Sequence, residues 1–177
     1  MKLQRNYFIA AVISQIVILV CLAIPPALTL ANGRTISVVT VPVDPWDMFR
    51  GDYVRMAYDF TFVPTEEDIK SHSKVFVVLK EDNDKKWLPV SVQLEKPEIS
   101  SDQIMLLGET EYAPTKSEKG TTGVRVKYGI EAVYIPEGKG KDLKNTDTMN
   151  VVLSVGNDGR AVIKRAETKG RLLYEMK

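Results

Sequence analysis

The chain has 177 residues, enough for one domain and an appendage, with 24 basic and 23 acidic side chains, one histidine and one cysteine. Lys2 and Arg5 are the only charges up to Ala31, so the remainder carries 22 basic against 23 acidic side chains. That near-neutral, interleaved balance lacks the basic footprint of a nucleic-acid binder, one cysteine cannot close a disulfide, and His72 among Lys70, Ser71, Ser73 and Lys74 has no thiol beside it for a structural zinc site. No cofactor or metal is expected.

From Tyr7 to Ile24 the chain runs eighteen residues without a charge. As a helix that run covers about 27 Å, close to the roughly 30 Å hydrocarbon core of a bilayer. Pro25 and Pro26 predict a helix end or kink, and Ala27 to Ala31 add apolar length at the interface. Ser14 and Gln15 interrupt the run; Gln15 is either tolerated in lipid or hydrogen-bonded to a neighbouring transmembrane helix. Lys2 and Arg5 ahead of the run, against Arg34 after it, place the amino terminus in the cytoplasm.

A cleaved signal peptide competes with that reading, because Thr29-Leu30-Ala31 is a small-residue cleavage site. The apolar run is longer than the usual h-region of about 7–15 residues, which favours an uncleaved anchor. The expected organisation is a cytoplasmic tail and transmembrane anchor over 1–33, then an extracytoplasmic domain over 34–177. The bilayer of the cell membrane is thus the first partner, crossed once.

Beyond Gly33 the pattern is β. Thr35 to Pro42 is rich in β-branched residues. Tyr53 to Phe62 alternates, with Val54, Met56, Tyr58 and Phe60 on one face. Val75 to Lys80, Leu88 to Glu95 and Gln103 to Tyr112 are further candidate strands. Val124 to Ile135 carries the longest alternation, placing Val124, Val126, Tyr128, Ile130, Ala132 and Tyr134 on one face. Met149 to Val155 and Arg160 to Lys164 flank Asp158-Gly159, a hairpin signal, and Gly170 precedes a last strand over Arg171 to Tyr174. Thr65 to Lys70 and Lys141 to Thr146 are the candidate short helices. The fold class is therefore all-β, an antiparallel sandwich or partly open barrel preceded by one transmembrane helix.

Gly51-Asp52-Tyr53-Val54-Arg55-Met56-Ala57-Tyr58 resembles the defining pattern of the GDYxxLxY family of bacterial membrane-anchored proteins, with Met56 at the leucine position. The likeness extends to Val41-Pro42-Val43-Asp44-Pro45, to Lys127-Tyr128-Gly129-Ile130-Glu131, to Ile135-Pro136-Glu137-Gly138-Lys139-Gly140 and to Asn157-Asp158-Gly159-Arg160. It implies an anchored envelope protein that acts beside a multi-spanning membrane protein, and it carries no biochemical activity.

Two groups of residues are candidates for binding. Asp52, Tyr53, Arg55 and Tyr58 belong to the motif; parity aims Asp52 inward, where its carboxylate either staples the turn or meets a ligand. Tyr128, Glu131 and the loop with Glu137 and Lys139 form the second group, and two glycines there are able to present amides to an anion. The spacing is not that of a phosphate-binding P-loop. Convergence of the groups at one end of the sheet, with Tyr58, Tyr128 and Tyr134 packed in the core, is the expectation.

For function, an anchored binding or accessory module is preferred. A membrane-tethered hydrolase with a Ser–Lys or carboxylate pair is the enzymatic alternative, and a ligand-free envelope scaffold the structural one. A lone histidine and no nucleophile elbow weigh against catalysis.

Overall fold

The computed structural model describes residues 2–42, 53–117, 120–136 and 147–176. One helix, α1 (Lys2–Asn32), leads into twelve strands. They are β1 (Arg34–Pro42), β2 (Tyr53–Ala57), β3 (Phe62–Pro64), β4 (Lys74–Glu81), β5 (Trp87–Gln93), β6 (Gln103–Thr110), β7 (Thr115–Lys116), β8 (Thr122–Lys127), β9 (Ala132–Tyr134), β10 (Met149–Val155), β11 (Ala161–Thr168) and β12 (Arg171–Glu175).

Within α1, Arg5–Asn32 is long and apolar enough to cross a membrane. The helix does not stop at its prolines but continues through Pro25 and Pro26 to Asn32. Interior prolines are tolerated in apolar helices where neighbouring groups re-satisfy the backbone, and here the last turn is fixed from outside. The Thr29 carbonyl accepts from Gly33 N–H at 2.9 Å and from the Ser154 hydroxyl of β10 at 2.6 Å. Thr29 is buried, and β1 starts one residue after Gly33, so the helix runs into the first strand without a linker.

The strands form two antiparallel sheets packed as a sandwich and not closed into a barrel. The first runs β12-β11-β10-β1-β2-β9; the second runs β3-β8-β6-β4-β5, with β7 on β8. Turn chemistry follows the sequence. Gly159 takes a positive φ of 83° after Asp158, whose carboxylate accepts from Arg160 N–H. Lys169 and Gly170, both at positive φ, join β11 to β12 with Thr168 opposite Arg171.

Three expectations are corrected. Thr65 to Lys70 is not helical: the Thr65 hydroxyl accepts from Glu67 N–H, Glu67 O accepts from Ile69 N–H, and Ile69 is buried by the core instead of by a helix face. Tyr53 to Phe62 is not one strand but β2 of the first sheet and β3 of the second. Val124 to Ile135 likewise divides into β8 of the second sheet and β9 of the first. Gly129, at a φ of 81°, lies in the turn between the two strands, and the alternation of buried residues runs on to Ile130. Parity then reverses: Val133 and Ile135 are buried, while Ala132 faces out and Tyr134 is 68% exposed instead of packed in the core. The Lys141–Thr146 helix lies outside the described residues.

Candidate functional site

Two chain corners, where the sequence changes sheet, meet at one edge of the sandwich. The first spans Tyr58 to Thr61 between β2 and β3, the second Tyr128 to Glu131 between β8 and β9. Each has a donor in its own backbone that must be satisfied on leaving the ladder. Tyr58 N–H donates to the Thr61 hydroxyl at 3.2 Å; Tyr128 N–H donates to Glu131 Oε1 at 2.5 Å, and Gly129 N–H to Glu131 Oε2 at 2.9 Å.

The corners then lock each other. Tyr58 Oη–H donates to Ile130 O at 2.7 Å, and Tyr128 Oη–H donates to Phe60 O at 2.8 Å. Met56 N–H donates to Glu131 O at 2.8 Å, and Val126 N–H to Thr61 O at 2.9 Å. Cross-strand partners repeat the relation: Val54 opposite Val133 and Arg55 opposite Ala132, then Val124 opposite Val63 and Arg125 opposite Phe62. Every one of these relations maps onto its counterpart by adding 70 to one corner's numbers, so the two segments are related by a local pseudo-two-fold axis. The sequence carries the same trace, as Val54-Arg55-x-x-Tyr58 and Val124-Arg125-x-x-Tyr128.

Between the corners Phe60 stacks on Tyr58 with ring centroids 5.0 Å apart and meets Tyr128 edge-on at 5.4 Å. Burial, with the Glu131 charge adding to it, raises both tyrosine hydroxyls well above the ordinary range near 10. They are therefore neutral donors at physiological pH, each keeping its proton and directing it at a backbone carbonyl.

Outside this lock lies a cleft of about 170 Å³ whose charged lining is Arg55, Glu111, Arg125, Lys127 and Glu131, with Thr61 beside them. Glu111, with only 18% of its side chain exposed, receives Lys127 Nζ at 2.8 Å and lies 3.7 Å from Arg125 Nε. That hydrogen bond and charge hold the Lys127 ammonium above the ordinary lysine range. Both Glu131 oxygens are committed to amides. The cleft's acids are thus engaged, while Arg55 has no side-chain ion-pair or hydrogen-bond partner among the described residues.

A family profile described as GDYXXLXY protein matches residues 15–165. The chain belongs to the GDYXXLXY family. No curated protein and no solved structure matches it. In this GDYXXLXY protein the second motif tyrosine, Tyr58, is the first half of the reciprocal lock, and Met56 at the leucine position is buried. Tyr53 is half-buried and faces Tyr134 across the β2–β9 ladder, ring centroids 6.2 Å apart.

Of the residues singled out from sequence, Arg55, Tyr58, Tyr128 and Glu131 come together at the corners. Asp52, Glu137 and Lys139 lie outside the described residues. Thr61, Glu111, Arg125 and Lys127 were not anticipated; the repeated Val-Arg-x-x-Tyr, missed in the sequence, is the signal that could have found Arg125. Among the described residues no group of three His, Cys, Asp or Glu side chains is placed to hold a metal ion, and no serine hydroxyl is hydrogen-bonded to a lysine amine.

Proposed function

We propose that this GDYXXLXY protein is a membrane-anchored, extracytoplasmic binding module that acts with a multi-spanning membrane protein. The observation that carries the reading is the junction at Thr29, where helix and β domain share one carbonyl and no linker intervenes. A domain joined to its anchor in this way presents its surface at a fixed height and direction over the membrane. Confinement to the membrane also raises its effective concentration toward other membrane components.

The junction favours an uncleaved helix. Cleavage after Ala31 removes the Thr29 carbonyl that Ser154 and Gly33 both use, leaving a buried hydroxyl without its acceptor. The Lys2 and Arg5 flank favours the cytoplasmic amino terminus.

The test is purification of the tagged full chain from its own membranes in a mild detergent. A multi-spanning protein recovered in near-stoichiometric amount is the expected result, with cross-links from photoreactive side chains installed near Arg55. Recovery of the chain alone, with no cross-linked membrane protein, refutes the partner.

A further inference from the structure

The two corners share more than a shape. Over Val54–Pro64 and Val124–Tyr134 the residues that are identical at equivalent positions are a valine (Val54, Val124), an arginine (Arg55, Arg125), a tyrosine (Tyr58, Tyr128) and a second valine (Val63, Val133). The fold accounts for three of these pairs. All four valines are buried, and the tyrosines make the reciprocal lock. The arginine side chains are exposed, donate no hydrogen bond among the described residues, Arg125 having only the 3.7 Å ion pair with Glu111, and both line the same cleft.

We propose that the cleft binds one phosphate group, clamped between Arg55 and Arg125 on the local pseudo-two-fold axis. A guanidinium offers a planar fork of donors that matches two oxygens at once. A carboxylate has only one such pair of oxygens, whereas a tetrahedral phosphate has two, related by a two-fold axis of its own. Two arginines at pseudo-equivalent positions therefore match phosphate better than carboxylate. Lys127 is a third cation, and the cleft's formal charge, three cations against Glu111 and Glu131, is +1. The volume of about 170 Å³ accommodates a phosphate and a few waters at about 30 Å³ each.

The cleft lies beside the far end of β1, where Val41 and Pro42 pair with Ala57 and Met56. The nine residues of β1 carry the chain roughly 26 Å along the strand from Arg34, which follows the helix. That separation favours a soluble phosphate or phosphate ester over a headgroup of the bilayer holding the anchor. The proposal deepens the binding-module reading and rests on it for biological role, but its chemistry is tested separately from the partner.

The full chain, in maltoside micelles free of phosphate, is titrated with inorganic phosphate while the arginine Nε–H resonances are followed by NMR. The Arg55 and Arg125 signals are expected to shift together, saturably and with one Kd, while Arg165 and Arg171 stay in place. Arg55→Gln and Arg125→Gln should each weaken binding about tenfold, the loss of one charge-assisted contact; their side chains are exposed, and an unchanged melting temperature shows the lock intact. Acetate binding as tightly as phosphate, shifts spread over all arginines, or no saturable shift overturns the proposal. Vesicles of an anionic phospholipid, added without free phosphate, should leave both signals unmoved; a saturable shift there overturns the soluble ligand in favour of a headgroup. Failure to capture a membrane protein leaves these outcomes unaffected.

Discussion

Tyr58 and Tyr128 hold each other's corners shut: each hydroxyl donates to the backbone carbonyl two residues past the other tyrosine, at 2.7 and 2.8 Å. Each bond spans the change of sheet in one segment and the change of sheet in the other, so the edge of the sandwich closes as a unit. The motif's last tyrosine is thereby explained by what it must fasten, a carbonyl with no other place in a ladder.

Tyr58→Phe should leave Ile130 O unsatisfied and destabilise the domain by about 1–3 kcal/mol, with Tyr128→Phe costing a similar amount through Phe60 O. Because both act on one closed edge, the double variant should lose less than the two single losses added together. Denaturant unfolding in micelles, followed through Trp87 fluorescence, measures all three; strict additivity indicates two independent staples.

Alkaline pH probes the same pair. Both hydroxyls titrate well above the ordinary value of 10.0 when folded. Their contribution is therefore fully present below that value, and stability falls as pH rises past it, because the unfolded chain then binds fewer protons than the folded one. The slope for two such groups is about 2.7 kcal/mol per pH unit. Tyr128→Phe should roughly halve that slope, read from denaturation midpoints above pH 10. An unchanged slope shows that Tyr128 ionises as freely in the fold as out of it.

Glu131 works through its backbone as well as its side chain, accepting from Met56 N–H with its carbonyl and from two amides with its carboxylate. Glu131→Gln keeps one side-chain oxygen and turns the other acceptor into a donor facing Gly129 N–H or Tyr128 N–H. A loss of about 1–3 kcal/mol is expected, with faster amide exchange at both residues. Unchanged exchange at Tyr128 and Gly129 excludes the carboxylate as the corner's closure.

Much of this was readable in the chain. The apolar run predicts α1, the β-branched runs predict β1, β4 and β10, and Asp158-Gly159 predicts its hairpin, because each is a local signal. The corners were not readable as corners. Strict alternation continues through Tyr58 to Phe60 and through Tyr128 to Ile130, since both sides of each corner face one core. Parity reverses only at the last residue of each corner, Thr61 and Glu131, after which Val63 and Val133 are the next buried residues. Arg55 was visible from the motif; Glu111 was not, because β6 brings it to the cleft from a distant part of the chain, with Glu111 N–H donating to Arg125 O.

Gly33 offers the test of the junction between helix and sandwich. A Cβ there lies 2.4 Å from Ser154 Oγ, 2.5 Å from Thr29 O and 2.9 Å from Val155 O. Two of these are backbone atoms, so the junction must open to admit a methyl group. Gly33→Ala should destabilise it by about 1–3 kcal/mol and speed protease cleavage between Asn32 and Thr35. Ser154→Ala, which leaves Thr29 O its Gly33 partner, should act more mildly, at about 1 kcal/mol. The mass of the protein isolated from membranes sets the context for both. A chain that retains Thr29 is expected, and a chain starting at Asn32 removes the carbonyl that Ser154 uses, making Ser154→Ala silent.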